Sequence, residues 1–142
     1  MLQRLKSSTL SEFVDVNTSV MLLRLFAFLM IYNHGFGKVM NVINGNFQFG
    51  DPIGLGPEVS LVLAALAEGI CALLVLVGFW TRLASLILVI NMAVAAFFYH
   101  LPAGDGFGGM EMALMYMLVF LIIFLLGPGD HSIDKTIQEG SA

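Results

Sequence analysis

This 142-residue sequence predicts an all-α fold, an integral membrane four-helix bundle, on three observations. Hydrophobic residues make up 58% of the chain and charged residues 11%, against roughly 25% charge in a soluble domain. Mean hydropathy is +0.91. The apolar residues also fall into four stretches, each close to the roughly 20 residues that carry a helix across a bilayer core. Together they leave no length for a soluble catalytic module.

Taken in order, residues 1–18 mix Leu2, Leu5, Leu10, Phe13 and Val14 with polar residues and read as an N-terminal interfacial segment. The bundle occupies 19–129, and 130–142 form a tail. The first span is expected from Ser19 to Met40, the second from Val59 to Phe79, the third from Leu83 to Tyr99 and the fourth from Met112 to Leu126. Pro57 and Glu58 suit the opening turn of the second helix, where no N–H is needed and negative charge meets the positive end of the dipole. Gly78 and Thr81 bracket a tight turn that makes spans two and three an antiparallel pair. Gly104, Gly106, Gly108 and Gly109 are expected to break the chain before span four, and Gly127-Pro128-Gly129 to end it.

Charge sets the expected orientation. Arg4, Lys6, Arg24, Arg82 and Lys135 fall on one side and Lys38 on the other, which places both termini in the cytoplasm. Trp80 then lies in the inner aromatic belt and Phe97, Phe98 and Tyr99 in the outer one. A cleavable signal peptide is not expected, because the first stretch is long and contains Arg24, His34 and Lys38. The net charge of -4 carries no basic run, so nucleic-acid binding has no electrostatic basis. Cys71 stands alone, which excludes a disulfide or a thiolate metal site within one chain.

Several polar residues within the spans need explaining. Glu68 lies about ten residues from either end of its helix, near the bilayer midplane, and requires a partner or a proton. An acid there costs roughly 2.5–3.5 kcal/mol of insertion, while each of the eleven Leu, Ile and Val residues of the span returns roughly 0.3–0.6, so the helix still inserts. Arg24 either snorkels to the near surface or reaches inward to form an ion pair with Glu68. His34 and Lys38 are four residues apart on one helix face, with His34 some six residues below the outer surface. His100 and Glu111 fall at similar outer depth, so His34, Lys38, Glu68, His100 and Glu111 form a candidate polar pocket. The plainer reading makes Glu111 a cap of the fourth helix and leaves His100 in the headgroup zone. No tight His and carboxylate spacing supports a metal site, and none is expected. The loop from Asn41 to Glu58 carries Phe47, Phe49 and Ile53 and folds back over the bundle, as a lid or, preferably, as a compact turn. Met110, Met112, Met115 and Met117 are read as packing residues.

These motifs in order resemble the DoxX family of small membrane proteins over about 115 residues. In LLRLFAFLMIYNHGFGKV the family's arginine, His-Gly and lysine correspond to Arg24, His34-Gly35 and Lys38. The central acid, the Gly-x-x-Thr-Arg turn and the closing histidine correspond to Glu68, Gly78, Thr81, Arg82 and His100. Glu111, Tyr116, Gly127-Pro128-Gly129 and the Ser132-x-Asp134 tail complete the match, while Asp130 and His131 stand where a basic residue often follows. The resemblance implies a bacterial inner membrane and, for some members, an association with quinone redox chemistry. No haem-binding histidine pair is found at mid-membrane depth.

Three functions follow as expectations. The first is a non-catalytic or partner-dependent accessory subunit of a membrane complex. The second is a quinone-binding oxidoreductase subunit using His34 and Glu68 or Glu111 for proton transfer, with quinone as its cofactor. The third is a small-solute or proton transporter, which four spans without an inverted repeat make less attractive. Expected partners are the lipid bilayer and either other membrane subunits or further copies of the chain. Ala64, Ala65, Ala67 and Gly69 permit close helix approach in either case.

Overall fold

The computed structural model describes residues 15–141, so most of the expected N-terminal interfacial segment lies outside the described residues. Four helices are long and apolar enough to cross a membrane: α1 (Val16–Ile43), α2 (Pro57–Val77), α3 (Thr81–Ala103) and α4 (Gly106–Leu126). A short helix α5 (Ile133–Gly140) follows. The described residues contain no strand. The spanning helices run up and down in sequence, with α1 packed on α2 and α4, and α3 packed on the same two. The start of α1 and α5 therefore share one end of the bundle, here the tail end. The connections α1–α2 and α3–α4 lie at the other, the loop end.

Each helix end has a local cause. Asp15 caps α1 by accepting from the Thr18 amide at 2.7 Å. Pro57 opens α2 as expected, behind Gly56 at φ 93°. At the far end Gly78 takes the left-handed conformation (φ 72°), and the Phe79 amide reaches back to the Leu74 carbonyl at 2.9 Å, closing a Schellman turn. The glycine-rich segment behaves differently from expectation. Only Gly104 lies before α4, because the helix starts at Gly106 and takes Gly108 and Gly109 into its first turns. Bilayer-embedded backbone must satisfy its own hydrogen bonds, and this outweighs the modest helix preference of glycine.

The core is built from small and branched residues: Ala27, Ile31, Ala67, Val75, Ala84, Leu88, Phe120 and Ile123 are almost fully buried. A close crossing joins α1 to α2, where a Cβ on Gly35 would overlap the backbone carbonyl of Glu68. Gly35 thus sets α1 directly on the middle of α2. Two π-helical turns interrupt the spans, Leu66–Cys71 in α2 and Ala95–His100 in α3. The wider turn in α2 brings the consecutive residues Ala67 and Glu68 both to the buried side.

At the tail end Arg24 is 2% exposed. Its Nε donates to the Val75 carbonyl at 2.8 Å and Nη2 to that of Leu76 at 2.8 Å, both at the end of α2. Nη1 donates to the carbonyls of Pro128 at 2.6 Å and His131 at 2.9 Å, beyond α4. The expected ion pair of Arg24 with Glu68 does not form. Glu68 lies level with Gly35, eleven residues and roughly 16 Å along α1, beyond the reach of the side chain. The last carbonyls of α2 lack intrahelical donors, and a planar guanidinium with five N–H groups supplies them.

Candidate functional site: a lidded cavity on a mid-membrane ion pair

Between α2 and α3, toward the loop end, lies a cavity of about 720 Å³. Leu63, Ala64, Ala67, Ile87, Ile90 and Val94 form its apolar wall, and Lys38, Glu68, Asn91 and His100 its polar end. Lys38 Nζ stands 2.5 Å from Glu68 Oε2, with the two side chains 20% and 6% exposed. Asn91 Nδ2 donates to Glu68 Oε1 at 2.9 Å. The geometry follows from the local sequence. Gly35 brings the helices together at Glu68, and Lys38 is the next residue along that face of α1.

The α1–α2 connection covers this cavity. Asp51 accepts hydrogen bonds from the Leu55 and Gly56 amides at 2.9 and 3.0 Å and from Ser60 Oγ at 3.1 Å, which anchors the loop to the start of α2. Gln48, Phe49, Gly50, Pro52 and Ile53 then line the cavity. Gly50 lies on the ring of Tyr99, where a Cβ would overlap the aromatic carbons. The loop is thus a compact turn packed on the start of α2 that also forms part of the cavity wall.

A second cavity of about 340 Å³ lies between α1, α3 and α4. His34, Tyr116, Met92 and Ala113 line it, and it shares Lys38, Glu68, Ala95 and His100 with the first. The Lys38–Glu68 pair therefore stands between the two cavities. His34 sits beside Gly35 at mid-height, deeper than expected, with its ring 6.1 Å from that of Tyr116. The Tyr116 hydroxyl donates to the Met30 carbonyl at 2.7 Å. His100 pairs through Nδ1 with Asp105 Oδ2 at 2.8 Å.

His34, Lys38, Glu68 and His100 thus converge. Glu111 does not: it is exposed, lines neither cavity, and is 200° around α4 from the buried Ala113. It is not a cap either, since α4 begins five residues earlier, behind Asp105. Asn91 was missed by sequence reasoning, although a lone amide in the middle of an apolar span is a signal of the same kind as Glu68. Asp51 and the seat of Gly50 on Tyr99 had no signal in spacing, because both depend on the path of the loop. Among the described residues no three His, Cys, Asp or Glu side chains lie close enough together to hold a metal ion.

The bundle and its ion pair define a class: a small multi-pass membrane protein with a cavity that runs from the loop end to a mid-membrane ion pair. The chain belongs to the DoxX family, whose model matches residues 19–101. It is 34% identical over 123 residues to an uncharacterised protein of Haemophilus influenzae, covering 80% of this chain and 86% of the relative. It is 26% identical over 126 residues to the inner membrane protein YqjF of Escherichia coli, covering 87% of this chain and 95% of the relative. No solved structure matches the chain. Family, relatives and four spanning helices place it as a multi-pass protein of the inner membrane.

Proposed function

We propose that this protein is a partner-dependent membrane subunit that binds the head of a neutral lipophilic molecule of quinone type in the larger cavity. The observation that carries the reading is the Lys38–Glu68–Asn91 cluster, built on the buried Glu68, at the polar end of an apolar cavity. At about 720 Å³ the cavity lies within the range of small-molecule sites, which pair apolar walls with a few placed polar groups. Glu68 already balances the charge of Lys38, so the site favours an uncharged polar head over an anionic lipid. Lys38 uses one of its three donors on Glu68, and Asn91 keeps one N–H and its carbonyl oxygen, so both can hold carbonyl or hydroxyl oxygens. A quinone would supply the electron-accepting chemistry, with electrons from a partner subunit. Lys38 and Glu68 would hold or move protons, and His34 and His100 would flank them from the second cavity. The positive-inside bias of Arg4, Lys6, Arg82 and Lys135 supports a cytoplasmic tail end, with the α1–α2 loop on the outer side.

Titration of the purified protein with a short-chain benzoquinone tests the reading. Ala64→Phe, which fills the cavity wall, is expected to weaken binding at least tenfold while the helix content stays unchanged. Equal affinity in the two proteins would refute the site.

A second reading rests on a specific observation: among the described residues every buried side-chain polar atom already has a hydrogen-bond partner. The polar cluster would then serve only to lock α1 on α2 in an accessory or assembly subunit. In that case neither protein binds the quinone, and both Lys38 and Glu68 matter only for stability.

A further inference from the structure

The face of α1 turned away from the bundle carries a pattern that the internal packing does not use. Leu22, Phe26, Leu29, Asn33, Phe36 and Met40 recur at alternating intervals of four and three, the seam of a left-handed helix pair. The first three and Phe36 are 36%, 57%, 54% and 51% exposed, Asn33 is exposed, and Met40 is half-buried. This seam lies opposite the buried stripe of Ala27, Ile31 and Gly35, with Asn33 about 200° around the helix from Ile31.

Asn33 makes this face more than a lipid-facing surface. Gly35 rests on the Glu68 carbonyl, and Glu68 is eleven residues from Pro57 and nine from Val77, so Asn33 lies about 3 Å along the axis from the middle of the bundle. Its amide therefore projects at hydrocarbon depth on the outer face. Its neighbours there, Leu29, Phe36 and Gly37, carry no group that can pair with it. An unpaired amide in hydrocarbon is costly, and a partner helix satisfies it. Gly37, one turn further on, has nothing within 4 Å of where a Cβ would stand, which leaves room for a second helix to approach.

We propose that this seam is a homodimer interface and that its occupant is the α1 helix of a second copy. Copies of one chain share one orientation in the membrane, so two α1 helices related by a two-fold axis are parallel. Parallel pairing sets each residue level with its own counterpart. Asn33 then meets Asn33 of the second copy, and an amide both donates and accepts. A single polar residue in an otherwise apolar seam fixes register and pair number. The cavity between α2 and α3 lies on another face of the bundle and stays open to lipid in the dimer.

Oxidative cross-linking in native membranes tests this. Single cysteines are placed in a Cys71→Ala background at Leu22, Phe26, Leu29 and Phe36, each leaving Asn33 in place, with Leu121 and Leu125 on the exposed face of α4 as controls. The seam positions are expected to give a band at twice the 15.4 kDa chain mass, at least fivefold above the controls. All six side chains are on the outside, so the substitutions leave the packing intact. In a second measurement, energy transfer between labelled copies in vesicles, Asn33→Leu is expected to weaken self-association about tenfold. Seam cross-linking no higher than in α4, adducts to a different protein in place of the dimer, or self-association unchanged by Asn33→Leu would each overturn the proposal.

Discussion

Arg24 and Gly35 show how single residues hold the bundle. Arg24 spends its donors on four carbonyls from two chain segments, so Arg24→Ala takes the guanidinium from the Leu76, Pro128 and His131 carbonyls, while that of Val75 keeps the Gly78 amide. A loss of about 3 kcal/mol or more is expected, measured by unfolding of the purified protein in mixed detergent. Arg24→Lys should recover less than half of it, because one ammonium cannot span the fork of sites that a guanidinium fills. Gly35 and Gly37 make an internal comparison, since a Cβ at Gly35 overlaps the Glu68 carbonyl and one at Gly37 meets nothing within 4 Å. Gly35→Ala is expected to destabilise the bundle by roughly 1–3 kcal/mol and Gly37→Ala to leave the isolated chain unchanged in the same assay. At the start of α1, the Thr18 amide holds the Asp15 carboxyl below its ordinary value of 3.8. A lowered folded value means a contribution present above about pH 4 and lost as pH falls through the folded value. Amide exchange in the first turn of α1 should accelerate in that acid window relative to the middle of the helix.

Among the elements, α5 is the one whose role depends most on a single side chain. Asp134 accepts from the Trp80 and Thr81 amides at 2.8 and 2.9 Å and from Thr81 Oγ at 2.8 Å, so it caps α3 from outside the helix. Its own amide donates to the Gly78 carbonyl at 2.9 Å, which ties the tail to the α2–α3 turn. The arrangement holds Trp80 at φ 47°, a left-handed conformation that a bulky residue adopts only under constraint. Asp134→Ala is expected to lower stability by about 1–2 kcal/mol, and exchange of the Thr81 amide should rise far more than that of Leu88. The spans were legible to within a few residues, because apolar length and the Pro57 and Gly78 signals act locally. The start of α4 was not, because glycine reads as a breaker in water, whereas the membrane leaves a spanning backbone little alternative to helix. The π-helical turns, Leu66–Cys71 and Ala95–His100, also had no sequence signal.

On the scale of the whole molecule, the bundle is a frame for one polar cluster between two cavities. Depth along the helices was readable and direction around them only in part. His34, Lys38, Glu68 and His100 converge as the sequence suggested, whereas Glu111 turns outward and Arg24 serves the tail end. Which cation reaches Glu68 is decided by the height at which α1 crosses α2, a tertiary quantity set by Gly35. The pair itself should behave as a coupled unit. Removing Lys38 alone leaves a buried carboxylate without its cation and is expected to cost about 3–5 kcal/mol, while Lys38→Met with Glu68→Gln together should cost clearly less than the two single changes added. That double variant keeps the fold and removes the polar anchor, which makes it the control for the central claim. The deciding measurement is prenyl-quinone content by mass spectrometry on protein extracted with its native lipid, wild type beside the double variant. Close to one quinone per wild-type chain, falling to the level of bulk lipid in the folded double variant, is the expected result. Equal content in the two proteins would contradict a ligand held by Lys38, Glu68 and Asn91.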